Sequence, residues 1–467
     1  MKRQASWRGR PRPAKRQPPQ PAAQPLLSLS GGLPSVTADQ VRYHRLRASY
    51  LVGSDLQGPA GLTFLAAAHF GIQAQESTSA YVSLYQRIAA GAAAWDAKDH
   101  KHNDAAAAGP SPPSLDQFRD WFMSNTGLIR IWGQRATLQI YDSADWPYVC
   151  AAVGAGVIQN RITSVCSGNV TGRDSTPELS AARETVSALL AQGKLVAATD
   201  FVKLGFSPKL VYSVFMCCTV EGLGARHDHG AGTVSLLAPR SVVAPEEEYP
   251  WRTVSTLDAL AEAARRYFKT YGPAMEEDFR YYMGVSARPS KEAVALLLAT
   301  GEISTVIVSP PSSDAPAVET PTTGKAKKAK AGGAYYVASS SLPLLLQPVP
   351  DVAQWPPRLL YRFDPLLLAH VDKSFWIPAE HKSTTWTKNG IILPTVLIGG
   401  RVTGTWTLVQ QKKSSSSSSS EQTVMSFTVI ALPGFPLYEG EVAQALERQA
   451  RGIAGFLGGV FGGITFD

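Results

Sequence analysis

The sequence is short of cysteine and of long apolar runs, and residues 1–20 contain no acidic residue at all. Its four cysteines, Cys150, Cys166, Cys217 and Cys218, are too few and too irregularly spaced for a disulfide framework or for paired CxxC zinc ligation. A reducing compartment is therefore expected. No uninterrupted run of about 18 apolar residues is evident, and the N-terminus lacks the apolar core of a secretory signal. These absences point to a soluble, intracellular protein with no membrane partner. What is present is a chain of 467 residues, 44% of them apolar, long enough for several domains around a full core.

The formal net charge of +8 is unevenly spread. "MKRQASWRGRPRPAKRQPPQ" holds seven basic residues, so the remainder carries only +1. Four further lysines lie in the linker "SPPSSDAPAVETPTTGKAKKAKAGG". The body is close to neutral, and the overall pI says little about what it binds. The tail, residues 1–35, is disordered by composition, and its Arg/Lys density fits nuclear import or loose nucleic-acid contact. A mitochondrial presequence is the alternative, but the many prolines spoil the amphipathic helix that it requires.

Three polar, repetitive segments interrupt the foldable sequence: 96–114, the linker 309–333 and the serine run 414–420. Between them one pattern recurs, helices followed by paired short strands. The first unit, 36–150, carries helical periodicity in "VTADQVRYHRLRASYL", "GLTFLAAAHF" and "STSAYVSLYQRI", then a hairpin in "LIRIWGQRATLQIY". A second spans 175–250 and opens on "STPELSAARETV", with a Ser/Thr cap, an early proline and nearby glutamates. A third spans 251–345, and a strand-rich part, 346–467, ends in the helix "GEVAQALERQARGIAGFL". The expected fold is α+β, with three tandem winged-helix motifs and a β-rich C-terminal part.

Several stretches, in common order, resemble the winged-helix DNA-binding family that includes the AlkZ-type DNA glycosylases. They are "LQGPAGLTFLAAAHFGIQAQ", "LIRIWGQRATLQIY", "YFKTYGPAMEEDFRYYMGV", "FDPLLLAHVDKS" and "NGIILPTVLIGGRVTGTW". The resemblance implies a C-shaped, DNA-sized cradle and, for AlkZ-type members, removal of alkylated purines. It also implies an active-site motif of glutamine, an apolar residue and glutamine, matched here by Gln73, Ala74 and Gln75.

If this segment is extended, Gln73 and Gln75 project to one face while Ile72 and Ala74 turn toward packing. On a helix the two amides would point about 200° apart. Gly71 before them and the Ser/Thr cluster after them favour an extended connector leading into a helix cap. A carboxamide does not titrate near neutrality, so it cannot protonate a leaving base. It can orient water and stabilise developing charge. A purine alkylated at N7 already carries positive charge while bound to the sugar, so its departure needs no general acid. Neutral amides therefore select cationic, labile lesions over normal or uracil-type bases. Gln75 is assigned to the water, and Gln73 to the base, the sugar or its partner amide. The alternative role for such a segment is capping of a helix start.

Arg130, Arg135 and Thr137 lie in the hairpin, where they would contact phosphates or form a charged strand edge. Gln139 stands where the resemblance leads one to expect histidine. "HVDKS" supplies His370, Asp372 and Lys373 as DNA contacts, with Asp372 either paired to a basic residue or facing the reacting sugar. Arg401 occupies a Gly-rich turn from which it could probe a groove. In "RHDHG", His227 and His229 could share a strand face, but no third or fourth ligand is near, so no metal site is expected. Surrounding glycines make it a wing tip. The leading expectation is a monofunctional, cofactor-free glycosylase acting as a monomer on double-stranded DNA with N7-alkylated purines, crosslinked adducts among them. The competing one is a non-catalytic winged-helix DNA-binding or regulatory protein.

Overall fold

The computed structural model describes residues 32–88, 113–124, 127–166, 176–227, 236–309, 334–387, 390–414 and 421–467. The basic tail, the 96–114 insertion, the 309–333 linker, the serine run, and Asp228 and His229 of "RHDHG" fall wholly or almost wholly outside them. A short strand β1 (Ser35–Val36) leads into α1 (Ala38–Ala48). Thr37 caps that helix reciprocally, its hydroxyl accepting from Gln40 N while the Gln40 side chain accepts from Thr37 N.

From there one order of elements recurs three times: a helix, a short extended segment, two more helices and an antiparallel strand pair. The first pass is α2 (Gly58–Ala68), β2 (Ile72–Gln73), α3 (Ser77–Tyr85), α4 (Leu115–Ser124), β3 (Leu128–Trp132) and β4 (Leu138–Asp142). The helical run α5 (Ser143–Cys166) follows. The second pass is α6 (Thr176–Ala191), β5 (Val196–Ala197), α7 (Asp200–Lys203), α8 (Val211–Val220), β6 (Gly224–Arg226) and β7 (Leu236–Pro239). The third is α9 (Thr256–Thr270), a bridge from Ala274 to Tyr336, α10 (Glu276–Met283), α11 (Ala287–Ala299), β8 (Ile303–Val308) and β9 (Tyr335–Ala338).

The first two passes share one six-stranded sheet, ordered β2-β4-β3-β6-β7-β5, joined where Arg130 of β3 lies opposite Arg226 of β6. The third has its own sheet, β1-β8-β9. Here the structure departs from the expected boundaries. Ser35 ends the expected tail and Val36 opens the first expected unit in sequence, yet both pair in parallel with Ile307 and Val308 of the third repeat. Arg45 of α1 likewise donates to Pro273 O, so the chain's described start is built onto the third repeat.

A second departure concerns apolar length. The run α5 is long and apolar enough to cross a bilayer by length and composition, although the sequence shows no obvious run of that kind. Its Trp146, Val149, Val153, Ile158 and Ile162 sit in the largest core cluster beside residues of α6, α8 and α9. Burial on that stripe accounts for its composition. In α9, Leu260, Ala263, Ala264, Tyr267 and Phe268 are buried at helical spacing, each large side chain contributing about 1.5–3 kcal/mol. The C-terminal part is a five-stranded sheet of β10 (Arg358–Leu360), β11 (Thr395–Ile398), β12 (Arg401–Ser414), β13 (Glu421–Ala431) and β14 (Val460–Phe466). The helix α12 (Gly440–Phe456) packs on it, burying Leu446, Ala450 and Ile453 in a cluster shared with α2 and α3.

Candidate active site

Ile72 and Gln73 pair antiparallel with Ile140 and Gln139, and Ala74 N donates to Leu138 O at 2.8 Å. The segment is thus extended. Ile72 and Ala74 are buried at 1% and 0% exposure, whereas Gln73 is half-buried and Gln75 exposed. The alternation puts both amides on one face, with Gln139 opposite Gln73.

Each amide is fixed by the hairpin between β3 and β4. Gln73 Oε1 accepts from Arg135 Nη2 at 2.9 Å, and Gln75 Oε1 accepts from Leu138 N at 3.2 Å. Arg135 also donates through Nη1 to Tyr282 O at 2.6 Å, which ties the motif to the end of α10. Thr137 Oγ1 donates to Gln134 O at 2.9 Å and accepts from Gln139 Nε2 at 2.8 Å. Gln139 is buried and holds Thr137 rather than facing solvent.

The backbone of the motif is held as closely as its side chains. Gln134 Nε2 donates to Phe70 O, and Tyr141 Oη donates to Gln134 Oε1. The Tyr282 hydroxyl lies 2.7 Å from His69 O and 3.3 Å from Gly71 O. Arg130 Nε donates to Ala74 O at 3.0 Å and its Nη2 reaches Gln75 O at 3.5 Å. Arg130 is 5% exposed, so the expected phosphate contact is corrected: its guanidinium faces the motif's own carbonyls.

The "HVDKS" residues are corrected in the same way. His370 is 1% exposed and bonds through Nε2 to Tyr271 O at 3.0 Å. Burial, then the charge of Arg45, holds its pKa well below the usual histidine value. Lys373 is 4% exposed; its Nζ donates to Leu367 O at 2.8 Å and to His370 O, and stands 4.5 Å from the centre of the Trp386 ring. Both side chains are buried inside the protein and offer DNA no polar surface. Asp372 is exposed and accepts from Ser374 N and Oγ at 2.9 and 2.8 Å, closing its own turn; among the described residues it forms no ion pair with a basic side chain. The adjoining Val371 N donates to Asp278 Oδ1 at 2.8 Å, so this loop clips onto α10. Arg401 follows the left-handed Gly399 and Gly400 between β11 and β12, half-buried near Arg42 of α1.

The structure brings Gln73, Gln75, Arg135, Thr137 and Gln139 together, whereas the sequence pairs only the two glutamines, sets Arg135 and Thr137 at phosphates and assigns Gln139 no role. Sequence reasoning missed Tyr282, Gln134 and Tyr141, although the aromatic spacing of "YFKTYGPAMEEDFRYYMGV" was a signal for the first. It also passed over Glu76, half-exposed directly after Gln75, whose Oε2 lies 3.8 Å from Arg362 Nη1. Among the described residues, no group of three His, Cys, Asp or Glu side chains could hold a metal ion. The arrangement offers two fixed neutral amides beside a guanidinium, suited to orienting and hydrogen bonding.

The model of the DNA glycosylase AlkZ-like family matches residues 67–456. Among solved structures, Streptomyces sahachiroi DNA glycosylase AlkZ aligns with a TM-score of 0.65 over 92% of this chain and 99% of its own, at 18% identity. That likeness shows a shared mixed α+β fold. No curated protein matches the chain in sequence. With most of its length, the two glutamines included, inside the matched region, the chain belongs to the AlkZ-like DNA glycosylase family.

Proposed function

We propose that this member of a DNA-repair glycosylase family hydrolyses the bond between deoxyribose and an N7-alkylated purine, bulky crosslinked adducts included. The three repeats act as winged helices lining a C-shaped cradle, and one copy of the chain suffices for the reaction. The observation that carries the reading is the pair Gln73 and Gln75, extended, on one face, and each fixed by a protein donor.

Water attacks C1′ as the C1′–N9 bond breaks. The bonding pair passes to the purine and cancels its positive charge, and the water's surplus proton goes to solvent. Gln75 orients the water through its amide, and Gln73 meets the departing base. Neither must supply a proton, which suits groups that cannot.

The test is base release from duplexes carrying N7-methylguanine. Wild-type protein should free the base and Gln75→Ala should be slower by about 10²-fold. Lack of release by wild type from several cationic adducts would leave a non-catalytic DNA-binding protein.

A further inference from the structure

We infer that Arg135 is a positioning residue for Gln73, and that Gln73 meets the substrate as a hydrogen-bond donor only. The inference rests on the glycosylase reading above and assigns the chemistry of one of its two amides. A guanidinium carries five N–H donors and no acceptor, so the Gln73 atom 2.9 Å from Arg135 Nη2 must be the carbonyl oxygen. The NH2 group is then the free end. Among the described residues it donates to no protein acceptor.

Arg135 is itself held from a second direction. Its Nη1 donates to Tyr282 O at 2.6 Å, and its guanidinium carbon lies 5.6 Å from the centre of the Tyr282 ring. The hairpin tip is seated as firmly: Arg135 takes a left-handed φ of 55°, and its Cα and N lie so near Gly284 that a β-carbon there would come within 3.0–3.1 Å of them. A phosphate contact has no use for so much fixing. A device that holds one amide in one rotamer does.

The positive charge on the carbonyl side draws density from the amide and strengthens its N–H groups as donors. Beside an oxocarbenium-like sugar such donors would be unfavourable. Against the leaving base they stabilise the electron pair that arrives as C1′–N9 breaks. An N7-alkylated purine cannot accept at N7, so the recognised atom is an unalkylated ring nitrogen or carbonyl oxygen of that base. Gln75, held by one neutral backbone N–H at 3.2 Å, keeps acceptor capacity for the water. The two amides thus divide the work.

The experiment follows single-turnover base release and duplex affinity for the full chain on N7-methylguanine DNA. Gln73→Glu keeps the size and the Arg135 contact but replaces the NH2 donor by an acceptor. Its rate should fall about 10²-fold with affinity within about threefold of wild type. Arg135→Met should slow release at least about tenfold without changing affinity or its salt dependence, and Arg135→Lys, unable to span both acceptors, should rescue only in part. A wild-type rate in Gln73→Glu would overturn the donor assignment. A loss of affinity in Arg135→Met, with the salt slope reduced by about one, would make Arg135 a phosphate contact instead. Should Arg135→Met fail to fold, Gln73→Glu still decides the donor assignment. No release by wild type removes the underlying reading itself.

Discussion

The ring of Tyr141 lies against Gly71, whose φ of +99° is a conformation that L side chains rarely adopt. A β-carbon at Gly71 would come 2.5 Å from Tyr141 Cε1 and 2.9 Å from Cζ. Gly71→Ala therefore combines backbone strain with overpacking and should cost about 2–4 kcal/mol in denaturant unfolding. Tyr141→Phe keeps the ring and removes the donor to Gln134, for an expected loss of about 1–3 kcal/mol. Because Gln134 also holds Phe70 O, both variants should slow base release more than they weaken DNA binding.

Behind the site, Arg87 at the end of α3 and Asp364 of the C-terminal part form a bidentate pair at 2.8 and 2.9 Å, with both side chains fully buried. Removing one partner strands the other charge, so Asp364→Asn should destabilise by about 3–5 kcal/mol. The double variant Arg87→Met with Asp364→Leu should lose less than the two single losses combined, measured as a double-mutant cycle. Additive losses would show that the pair makes no net contribution as a pair.

Acid should destabilise the fold through buried neutral histidines. Burial, then Arg45 and Arg47, lowers the pKa of His44 from 6.5 to about 4, and His69 and His370 are lowered well below 6.5, chiefly by burial. The unfolded chain binds protons that the folded one refuses, so stability present above pH 6.5 is lost as pH falls toward 4. For His44 that loss is about 3 kcal/mol. Denaturant unfolding of wild type and His44→Phe at pH 7 and 4.5 isolates the group, and the variant should show the shallower decline.

The amide pair was legible because Gly71-Ile72-Gln73-Ala74-Gln75 alternates apolar and polar after a glycine, which only an extended segment satisfies with both glutamines outward. The repeats were legible because helical periodicity and paired strands are local signals. The roles of Arg130 and Arg135 were not. Each meets a backbone carbonyl far along the chain, Ala74 O at a separation of 56 residues and Tyr282 O at 147. In a hairpin sequence, an arginine that clamps a carbonyl reads the same as one that meets a phosphate. "HVDKS" misled for a related reason: its polar residues satisfy the backbone of their own loop and of Tyr271 just past α9, an arrangement set by tertiary packing.

Lesion charge should decide turnover. Duplexes with N7-methylguanine should release base, whereas uracil or hypoxanthine duplexes should react at least about 10²-fold more slowly, since neutral bases need the proton that two carboxamides cannot give. Chromatographic detection of free base under single-turnover conditions makes the comparison. Comparable release of a neutral base would require an acid elsewhere in the site.

The abasic product stays intact as long as Lys373 cannot reach the sugar. Burial, then the charge of Arg135, lowers its pKa to about 7, so a neutral amine fit for attack at C1′ is present near neutrality. Against that stands its position: Nζ is bound to Leu367 O at 2.8 Å and to His370 O, over the Trp386 ring, in a side chain 4% exposed. Nucleophilicity without reach yields no Schiff base. Borohydride added during turnover should trap no protein–DNA adduct, and the strand should break only after alkali, on denaturing gels. Lys373→Met should lower stability and leave that product pattern unchanged. An adduct that forms with wild type and disappears in Lys373→Met would place this amine at the sugar, and would make the enzyme bifunctional.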